Sequence, residues 1–324
     1  MNPLFHALSQ RPAGARMYAE TDKKRGVLSI LVRGASLISG GNIKKFVTRE
    51  VVPSVEFTQK ELKKFQQQAA KELAKRVDVE RSKFVAEDKT VLDRIVLSSG
   101  AKRMSERKII VYFLPNCELW QNMVDLFDDL RNQLNADIVC SNYRGCGEST
   151  GFPDGEESLI NDGLFQVQQL LDQGAKPENI ALFGYSLGGG VATGVAAALE
   201  KYEISVNLIN ERSFRSLSAV IRSVDQFGKE FAAVSVESLG WNLSSETNLE
   251  KLKGNIVIIH NDCDEVIGYK ASLKWAIDCK NYSNKNKMTF ISLKKTSDES
   301  QHNRPWRAEE ELAILAAIKA VFKR

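Results

Sequence analysis

From about residue 90 to the C-terminus, short apolar runs alternate with longer segments whose apolar residues recur at helical spacing. The short runs are rich in β-branched and aromatic residues and largely apolar along their length, which is typical of strands buried on both faces. Strands are predicted at 91–97, 108–114, 137–143, 179–185, 205–210, 255–260 and 287–293, and helices at 119–134, 156–173, 188–200 and 307–324. This alternation predicts an α/β fold with a mostly parallel central sheet and helices on both faces.

The segment before this alternation contains one clear helical pattern. Thr58 and Glu61 have the spacing of a capping box, and apolar residues follow at positions 62, 65, 69, 73 and 77, with lysines on the other faces. The pattern predicts an amphipathic helix that docks on the rest of the chain. We therefore expect a basic, partly helical N-terminal extension over 1–84 and the main α/β domain over 85–324.

Charge is distributed unevenly between these two regions. Residues 1–85 carry 17 basic and 8 acidic residues, a net charge of +9, and the whole chain carries 45 and 41, so the remainder has 28 and 33, a net charge of −5. An overall charge of +4 over 324 residues does not indicate nucleic-acid binding. A solvated helix docked on the main domain explains the basic segment, and peripheral contact with an anionic membrane is the alternative.

The chain shows no pattern for export, membrane insertion or a bound cofactor. Its start, MNPLFHALSQRP, lacks the features of a signal peptide, and its longest apolar stretch, 27–39, contains Arg33 and Gly34 and is too short to span a bilayer. The five cysteines form neither Cys-x-x-Cys nor a zinc-binding spacing, which predicts reduced thiols. We expect a cytoplasmic location by default, no metal and no cofactor.

The sharpest local motif is GYSLG at 184–188, where a predicted strand meets a predicted helix. A serine hydroxyl needs exposure and a base to act as a nucleophile, and a tight strand-to-helix turn between small residues provides the exposure. The same turn directs the backbone N–H of Leu187 toward the place where an oxyanion would form. Ser186 is therefore a candidate nucleophile.

Chain order supports this interpretation, because a serine at such a turn is followed by an acid and then a histidine at the ends of later strands. A polar loop with several carboxylates, 261–267, follows the strand at 255–260. His302 lies in a polar loop after the last predicted strand. Among the other histidines, His6 lies in the unassigned start and His260 ends a strand too early in the order. His302 is therefore the candidate base.

With these residues the chain resembles the α/β-hydrolase superfamily over about 85–324. Two further segments resemble stretches of its esterases, lipases and acyl-thioesterases: NYRGCGESTG at 142–151, which follows a strand, and NERSF at 210–214. The combination is similar to a branch of serine hydrolases from chlamydial and Legionella-type intracellular bacteria, some of them secreted effectors. The resemblance implies the α/β-hydrolase fold, a Ser-Asp-His triad and, as an alternative location, secretion into a host cell.

The resemblance also implies roles for particular residues. Asp264 takes the acid position, where it would orient the ring of His302, and Asp262 is the alternative acid. The second oxyanion-hole donor is expected from the loop after the strand at 108–114, from Asn116 or Cys117. Pro115, which has no N–H, stands where the family usually has glycine.

These features favour a serine hydrolase that cleaves a carboxylic ester or thioester through an acyl-enzyme on Ser186, with lipid-derived compounds among the candidate substrates. The alternatives are a serine peptidase of the same fold and a non-catalytic binding or effector protein that kept the fold. Residues 214–252 lie where this fold often inserts a lid. The apolar residues there could form an acyl-binding wall or simply pack over the core. They are Phe227, Phe231, Val234, Val236, Leu239 and Trp241.

Overall fold

The apolar runs form one eight-stranded sheet in the computed structural model, which describes residues 48, 51–52, 59–100, 103–223, 229–297 and 300–323. The strands are β1 (Val79–Val85), β2 (Val91–Leu97), β3 (Ile109–Phe113), β4 (Asp137–Ser141), β5 (Ile180–Tyr185), β6 (Asn207–Glu211), β7 (Ile256–His260) and β8 (Met288–Ser292). Their spatial order is β1-β2-β4-β3-β5-β6-β7-β8. The β1/β2 and β2/β4 pairs are antiparallel, and all pairs from β4 to β8 are parallel. The mostly parallel sheet is confirmed.

Helices cover the two faces of this sheet. They are α1 (Gln59–Leu73), α2 (Val124–Leu134), α3 (Glu156–Asp172), α4 (Leu187–Glu200), α5 (Leu217–Ser223), α6 (Lys229–Ser238), α7 (Ser245–Leu249), α8 (Leu273–Cys279) and α9 (Ala308–Val321). One layer contains α2, which contacts both α1 and α9, and the other contains α4, which contacts α3 and α7. Every side chain of β3 and β5 is buried, because these central strands lie between the two layers.

The sheet extends further toward the N-terminus than the pattern predicts. β1 pairs with β2 in antiparallel register, with Phe84 opposite Leu92, so the sheet begins before the domain boundary expected at residue 85. β1 lies at the edge of the sheet, and Phe84 is the only buried residue in its sequence, VERSKFV. An edge strand with so little buried apolar surface has no apolar run to reveal it.

The predicted N-terminal helix docks on the main domain. α1 buries Phe65 and Ala69 in the main core, which also contains Val51 and Val52. The helix ends at Leu73, earlier than the periodicity predicts, and Val77 is exposed. The predicted cap, Thr58, lies outside the described residues, as do most of the residues before it, so the basic extension as a whole stays a prediction.

The predicted lid region contains α5, α6 and α7. Among its predicted wall residues, Val236 and Trp241 are buried in the main core, whereas Phe231 and Val234 are exposed, and Phe227 lies outside the described residues. Much of the segment therefore packs over the core, and movement as a lid stays a prediction. Within the described ranges, no helix is both long enough and apolar enough to cross a membrane.

Candidate active site

Ser186 lies in the turn between β5 and α4, and its backbone has a left-handed φ of 54°. Glycines surround it because the backbone leaves no room for side chains. A Cβ atom on Gly184 would lie 2.1 Å from the carbonyl oxygen of Gly188. A Cβ atom on Gly188 would lie 2.1 Å from the carbonyl oxygen of Phe113. The turn predicted from GYSLG is therefore present, and it places Ser186 at the carboxyl ends of the central strands.

The Gly188→Ala substitution should destabilise the protein strongly. The added methyl group would collide with the backbone at the end of β3, which cannot rotate away as a flexible side chain can. We expect the free energy of unfolding, measured by urea denaturation, to fall by about 3 kcal/mol.

Gly268→Ala is the matched control for Gly188→Ala. Gly268 has a φ of −53°, and a Cβ atom added there would have no heavy atom within 4 Å. We expect this variant to stay within about 0.5 kcal/mol of the unsubstituted protein. Equal effects of the two substitutions would show that the close approach of Gly188 to β3 does not matter for stability.

Ser186, His302 and Asp264 form a continuous chain of hydrogen bonds. Nε2 of His302 lies 3.0 Å from Oγ of Ser186, and Nδ1 of His302 lies 2.6 Å from Oδ2 of Asp264. An ionised carboxylate only accepts, so this arrangement holds the ring proton on Nδ1 and leaves Nε2 to accept the serine hydroxyl proton. The exposed fractions are 8% for Ser186, 5% for His302 and 6% for Asp264, so the chain lies largely out of water.

Asp264, and not Asp262, contacts the predicted base. Oδ1 of Asp264 accepts the backbone N–H groups of Val266 and Ile267, at 2.9 and 2.7 Å, which leaves Oδ2 directed at His302. The side chain of Asp262 is exposed and lies 3.1 Å from Nδ1 of His260. Burial lowers the pKa of His260 despite the opposing charge of Asp262. The two neighbouring carboxylates therefore meet two different histidines.

The predicted oxyanion-hole residues come from the serine turn and from the loop after β3. Leu187 begins α4, where backbone N–H groups have no partner within the helix. The loop after β3 approaches the same turn, since a Cβ atom on Gly188 would lie 2.8 Å from the carbonyl oxygen of Leu114. Further along that loop, Cys117 has a φ of 60° and its N–H donates to Oδ1 of Asn116. The choice between Asn116 and Cys117 as donor stays a prediction.

The segment 142–151 is held by buried hydrogen bonds to neighbouring loops and to α3. Oδ1 of Asn142 accepts the N–H of Trp120 at 2.9 Å, and Nδ2 of Asn142 donates to Oε1 of Gln121 at 3.0 Å. A Cβ atom on Gly147 would lie 2.6 Å from that same amide nitrogen, so glycine lets the loop close over Asn142. Arg144 forms a two-pronged ion pair with buried Asp162 on α3.

The loop that carries His302 is held by residues to which the sequence assigns no role. Tyr185 and Arg212 contact its carbonyl groups, and the carboxylate of Glu265 accepts the N–H groups of Gln301 and His302, at 2.8 and 3.3 Å. Tyr185 and Arg212 do lie within the two short motifs, GYSLG and NERSF, but nothing local relates either of them to a histidine far along the chain. Within the described ranges, no group of three or more His, Cys, Asp or Glu side chains is arranged to hold a metal ion.

This sheet order, with a serine at the turn after β5 and a histidine after β8, is that of the α/β-hydrolase fold, and the protein is an α/β hydrolase in structure. More narrowly, the chain belongs to the family described as Chlamydia CHLPS protein (DUF818), whose family model matches residues 36–301. The matched stretch contains Ser186 and Asp264.

Two curated relatives share part of the chain. Protein bem46 of Schizosaccharomyces pombe is 26% identical over 193 residues, which are 59% of this chain and 62% of bem46. Lysophosphatidylserine lipase ABHD12 of Danio rerio is 27% identical over 154 residues, which are 44% of this chain and 39% of that lipase. The chain therefore spans less than two thirds of the length of either relative.

Solved structures support the fold. An alpha-beta hydrolase from Vibrio vulnificus is similar with a TM-score of 0.65 and 17% identity, covering 87% of this chain and 95% of that one. The esterase PF2001 of Pyrococcus furiosus has a TM-score of 0.54 at 14% identity, covering 76% of this chain and 90% of that one. A puromycin-hydrolyzing peptidase of Mycobacterium tuberculosis has a TM-score of 0.58 at 13% identity, covering 75% and 38%. At such identities the likeness concerns the fold alone.

Proposed function

We propose that the protein is a serine hydrolase that cleaves a carboxylic ester or thioester through an acyl-enzyme on Ser186. The observation that carries the proposal is the chain of hydrogen bonds from Asp264 through His302 to Ser186. A fold kept only for binding does not need these three side chains in contact, so the arrangement favours an enzyme over a scaffold.

The geometry supports a two-step acyl transfer. His302 takes the proton of the Ser186 hydroxyl on Nε2 while Oγ attacks the substrate carbonyl carbon, and the carbonyl oxygen becomes an oxyanion. The N–H of Leu187, together with a donor from the Asn116 and Cys117 turn, stabilises that oxyanion. The tetrahedral intermediate collapses as His302 gives its proton to the leaving alcohol or thiol. A water molecule, deprotonated by His302, then releases the acid and restores Ser186.

Asp264 keeps the base in its working state throughout this cycle. It accepts the Nδ1 proton of His302 and stabilises the imidazolium that forms when Nε2 is protonated. Because Oδ1 of Asp264 is already occupied by two backbone N–H groups, its carboxylate cannot turn away from the ring without breaking those bonds. Each proton transfer in the cycle is accounted for by these three side chains and water.

The fold does not determine the leaving group of the substrate, because esterases and a peptidase share this fold. A lipid-derived ester is the substrate class that we favour, for two reasons. The lipase ABHD12 is among the relatives, and exposed apolar side chains, Phe231 and Val234, lie on α6 in the predicted lid region. A serine peptidase is the alternative.

A substrate panel tests the proposal directly. We expect labelling of the full chain by a fluorophosphonate probe, and turnover of p-nitrophenyl esters from acetyl to palmitoyl and of an acyl thioester, but not of short peptide anilides. Turnover of the anilides with none of the esters or thioester would identify a peptidase. A folded protein with neither labelling nor turnover would overturn the proposal and favour the binding alternative.

Contact of the N-terminal region with a membrane stays a prediction. The described part of that region offers a basic surface on α1, where Lys60, Lys63, Lys64 and Lys71 are exposed. Each such side chain near anionic lipid contributes on the order of 1 kcal/mol to binding. Secretion into a host cell, the alternative to a cytoplasmic location, likewise stays a prediction.

A further inference from the structure

Two residues from distant parts of the chain must meet for the proposed chemistry. Ser186 and His302 are 116 positions apart, and the bond between Oγ and Nε2 is 3.0 Å long. His302 lies in a loop and not in a strand or helix, so sheet hydrogen bonds do not fix its position. Some other contact must hold the backbone of this loop at the distance that proton transfer requires.

Beside Glu265, which accepts two N–H groups of this loop, Arg212 binds its carbonyl groups. Its Nη1 donates to the carbonyl oxygen of His302 at 2.6 Å and to that of Arg304 at 2.7 Å, with a longer bond of 3.4 Å to that of Gln301. The side chain of Arg212 is fully buried, so these bonds do not compete with water. One planar guanidinium thus binds three carbonyl groups of the histidine loop.

Tyr185 adds a second contact to the same carbonyl group. Its hydroxyl donates to the carbonyl oxygen of His302 at 2.7 Å, and its ring stacks on the His302 ring with the centroids 5.4 Å apart. The guanidinium of Arg212 in turn lies over the Tyr185 ring, 5.1 Å from its centroid. Tyr185 directly precedes Ser186, so this contact ties the histidine loop to the nucleophile's own strand.

Glu211 links Arg212 to the serine turn. Its backbone carbonyl accepts the N–H of Ser186 at 2.9 Å, and its carboxylate pairs with the guanidinium of Arg212 and accepts the indole N–H of Trp306 at 2.8 Å. Burial lowers the pKa of Arg212, but the carboxylate of Glu211, together with the charges of Tyr185 and Asp264, raises it above its ordinary value. Two adjacent residues at the end of β6 therefore hold the backbone of Ser186 on one side and that of His302 on the other.

We propose that Arg212, together with Tyr185, is a positioning residue that sets the distance between His302 and Ser186. The proposal rests on the proposed function, since a distance between these two side chains matters only if a proton passes between them. The guanidinium of Arg212 contacts carbonyl groups of the histidine loop, the carboxylate of Glu211 and the ring of Tyr185, so it acts on His302 through the backbone of that loop.

Lysine cannot replace Arg212 in this arrangement. An ammonium group is a point charge with three donors and lacks the planar fork that meets two carbonyl groups and a carboxylate together. For Arg212→Lys we expect kcat per active site to fall about 100-fold, because a displacement of about 1 Å has such a cost, with KM for p-nitrophenyl butyrate changed less than about threefold. Tyr185→Phe keeps the ring and loses the hydroxyl that contacts the carbonyl oxygen of His302 and Oδ1 of Asn303. For this variant we expect kcat to fall about fivefold.

The experiment measures rates per competent site in the full chain. Fluorophosphonate labelling carried to its end point counts the folded sites, and the rate constants for labelling and for ester turnover are then expressed per counted site. A merely structural role for Arg212 would lower the end point and leave the rate per site unchanged. Arg215→Lys is the matched control, because Arg215 follows β6 but pairs with Glu246 and caps the carbonyl of Lys270, away from the histidine loop.

Outcomes separate this proposal from the proposed function. If Ser186→Ala is still labelled, the function itself is wrong. If Ser186→Ala abolishes labelling while Arg212→Lys and Tyr185→Phe keep the unsubstituted rate per site, only the positioning role is overturned. If Arg212→Lys does not fold, Tyr185→Phe decides alone: a lower kcat at constant KM supports the role, and an unchanged kcat overturns it.

Discussion

Replacing Ser186 with alanine should remove ester turnover and fluorophosphonate labelling together. The hydroxyl of Ser186 contacts Nε2 of His302, and no acyl-enzyme can form without it. In a serine hydrolase the nucleophile, base and acid act as a unit, and loss of the nucleophile lowers kcat about 10⁶-fold. We expect a loss of that order here. Steady-state hydrolysis of p-nitrophenyl butyrate measures it.

Ser235→Ala is the matched control for Ser186→Ala. Ser235 lies on α6, and its hydroxyl donates to the carbonyl oxygen of Phe231. Its substitution removes the same oxygen atom at a position outside the proposed active site. We expect turnover and labelling to be unchanged. Thermal unfolding should show that the Ser186→Ala variant is folded. If a folded variant retains more than a tenth of the original turnover, the nucleophile lies elsewhere.

Asp264→Asn should lower kcat about 10⁴-fold, whereas Asp262→Asn should change it less than about threefold. An amide at position 264 can present its NH₂ group to Nδ1 of His302, and the imidazole would then carry its proton on Nε2 and could not accept one from Ser186. At position 262 the same change meets His260, which is not the histidine that contacts Ser186. The two variants make the same one-atom change in the same residue type, two positions apart.

Burst kinetics with p-nitrophenyl acetate distinguish the two aspartates most directly. With Asp264→Asn we expect slow acylation and no burst, because the base no longer works in the first step. With Asp262→Asn we expect the amplitude and rate of the unsubstituted protein. The reverse result, a large loss at 262 and none at 264, would assign the acid role to Asp262 and contradict the geometry around His302.

Most strands could be predicted because they are central in the sheet. β3, β5 and β7 are buried at every position, which requires an unbroken apolar run. β1 could not be predicted in this way, because it lies at the edge and covers little more than Phe84. α1 shows the same limit at its end: the apolar spacing continues to Val77, but the helix stops at Leu73, and Val77 is exposed beyond it.

The sequence predicted those parts of the site that depend on neighbouring residues or on the order of elements along the chain. Ser186 is recognisable because the tight turn demands small neighbours, and Gly184 and Gly188 have no room for a Cβ atom. His302 follows from chain order, since the carboxyl ends of successive parallel strands meet at one edge. Asp264 and Asp262 could not be separated by order, because both leave β7 in the same loop and only the direction of each side chain distinguishes them.

By itself, the sequence determined the layered fold, the serine turn and the histidine that can serve it, because each depends on patterns within a few residues or on the order of elements. Only the tertiary structure decided which carboxylate meets that histidine and what holds its loop in place. The reason is physical: the contacts of Arg212 and Tyr185 with the backbone of His302 join segments about a hundred positions apart. A carbonyl group that accepts such bonds is the same in every residue, so no pattern in the sequence marks it.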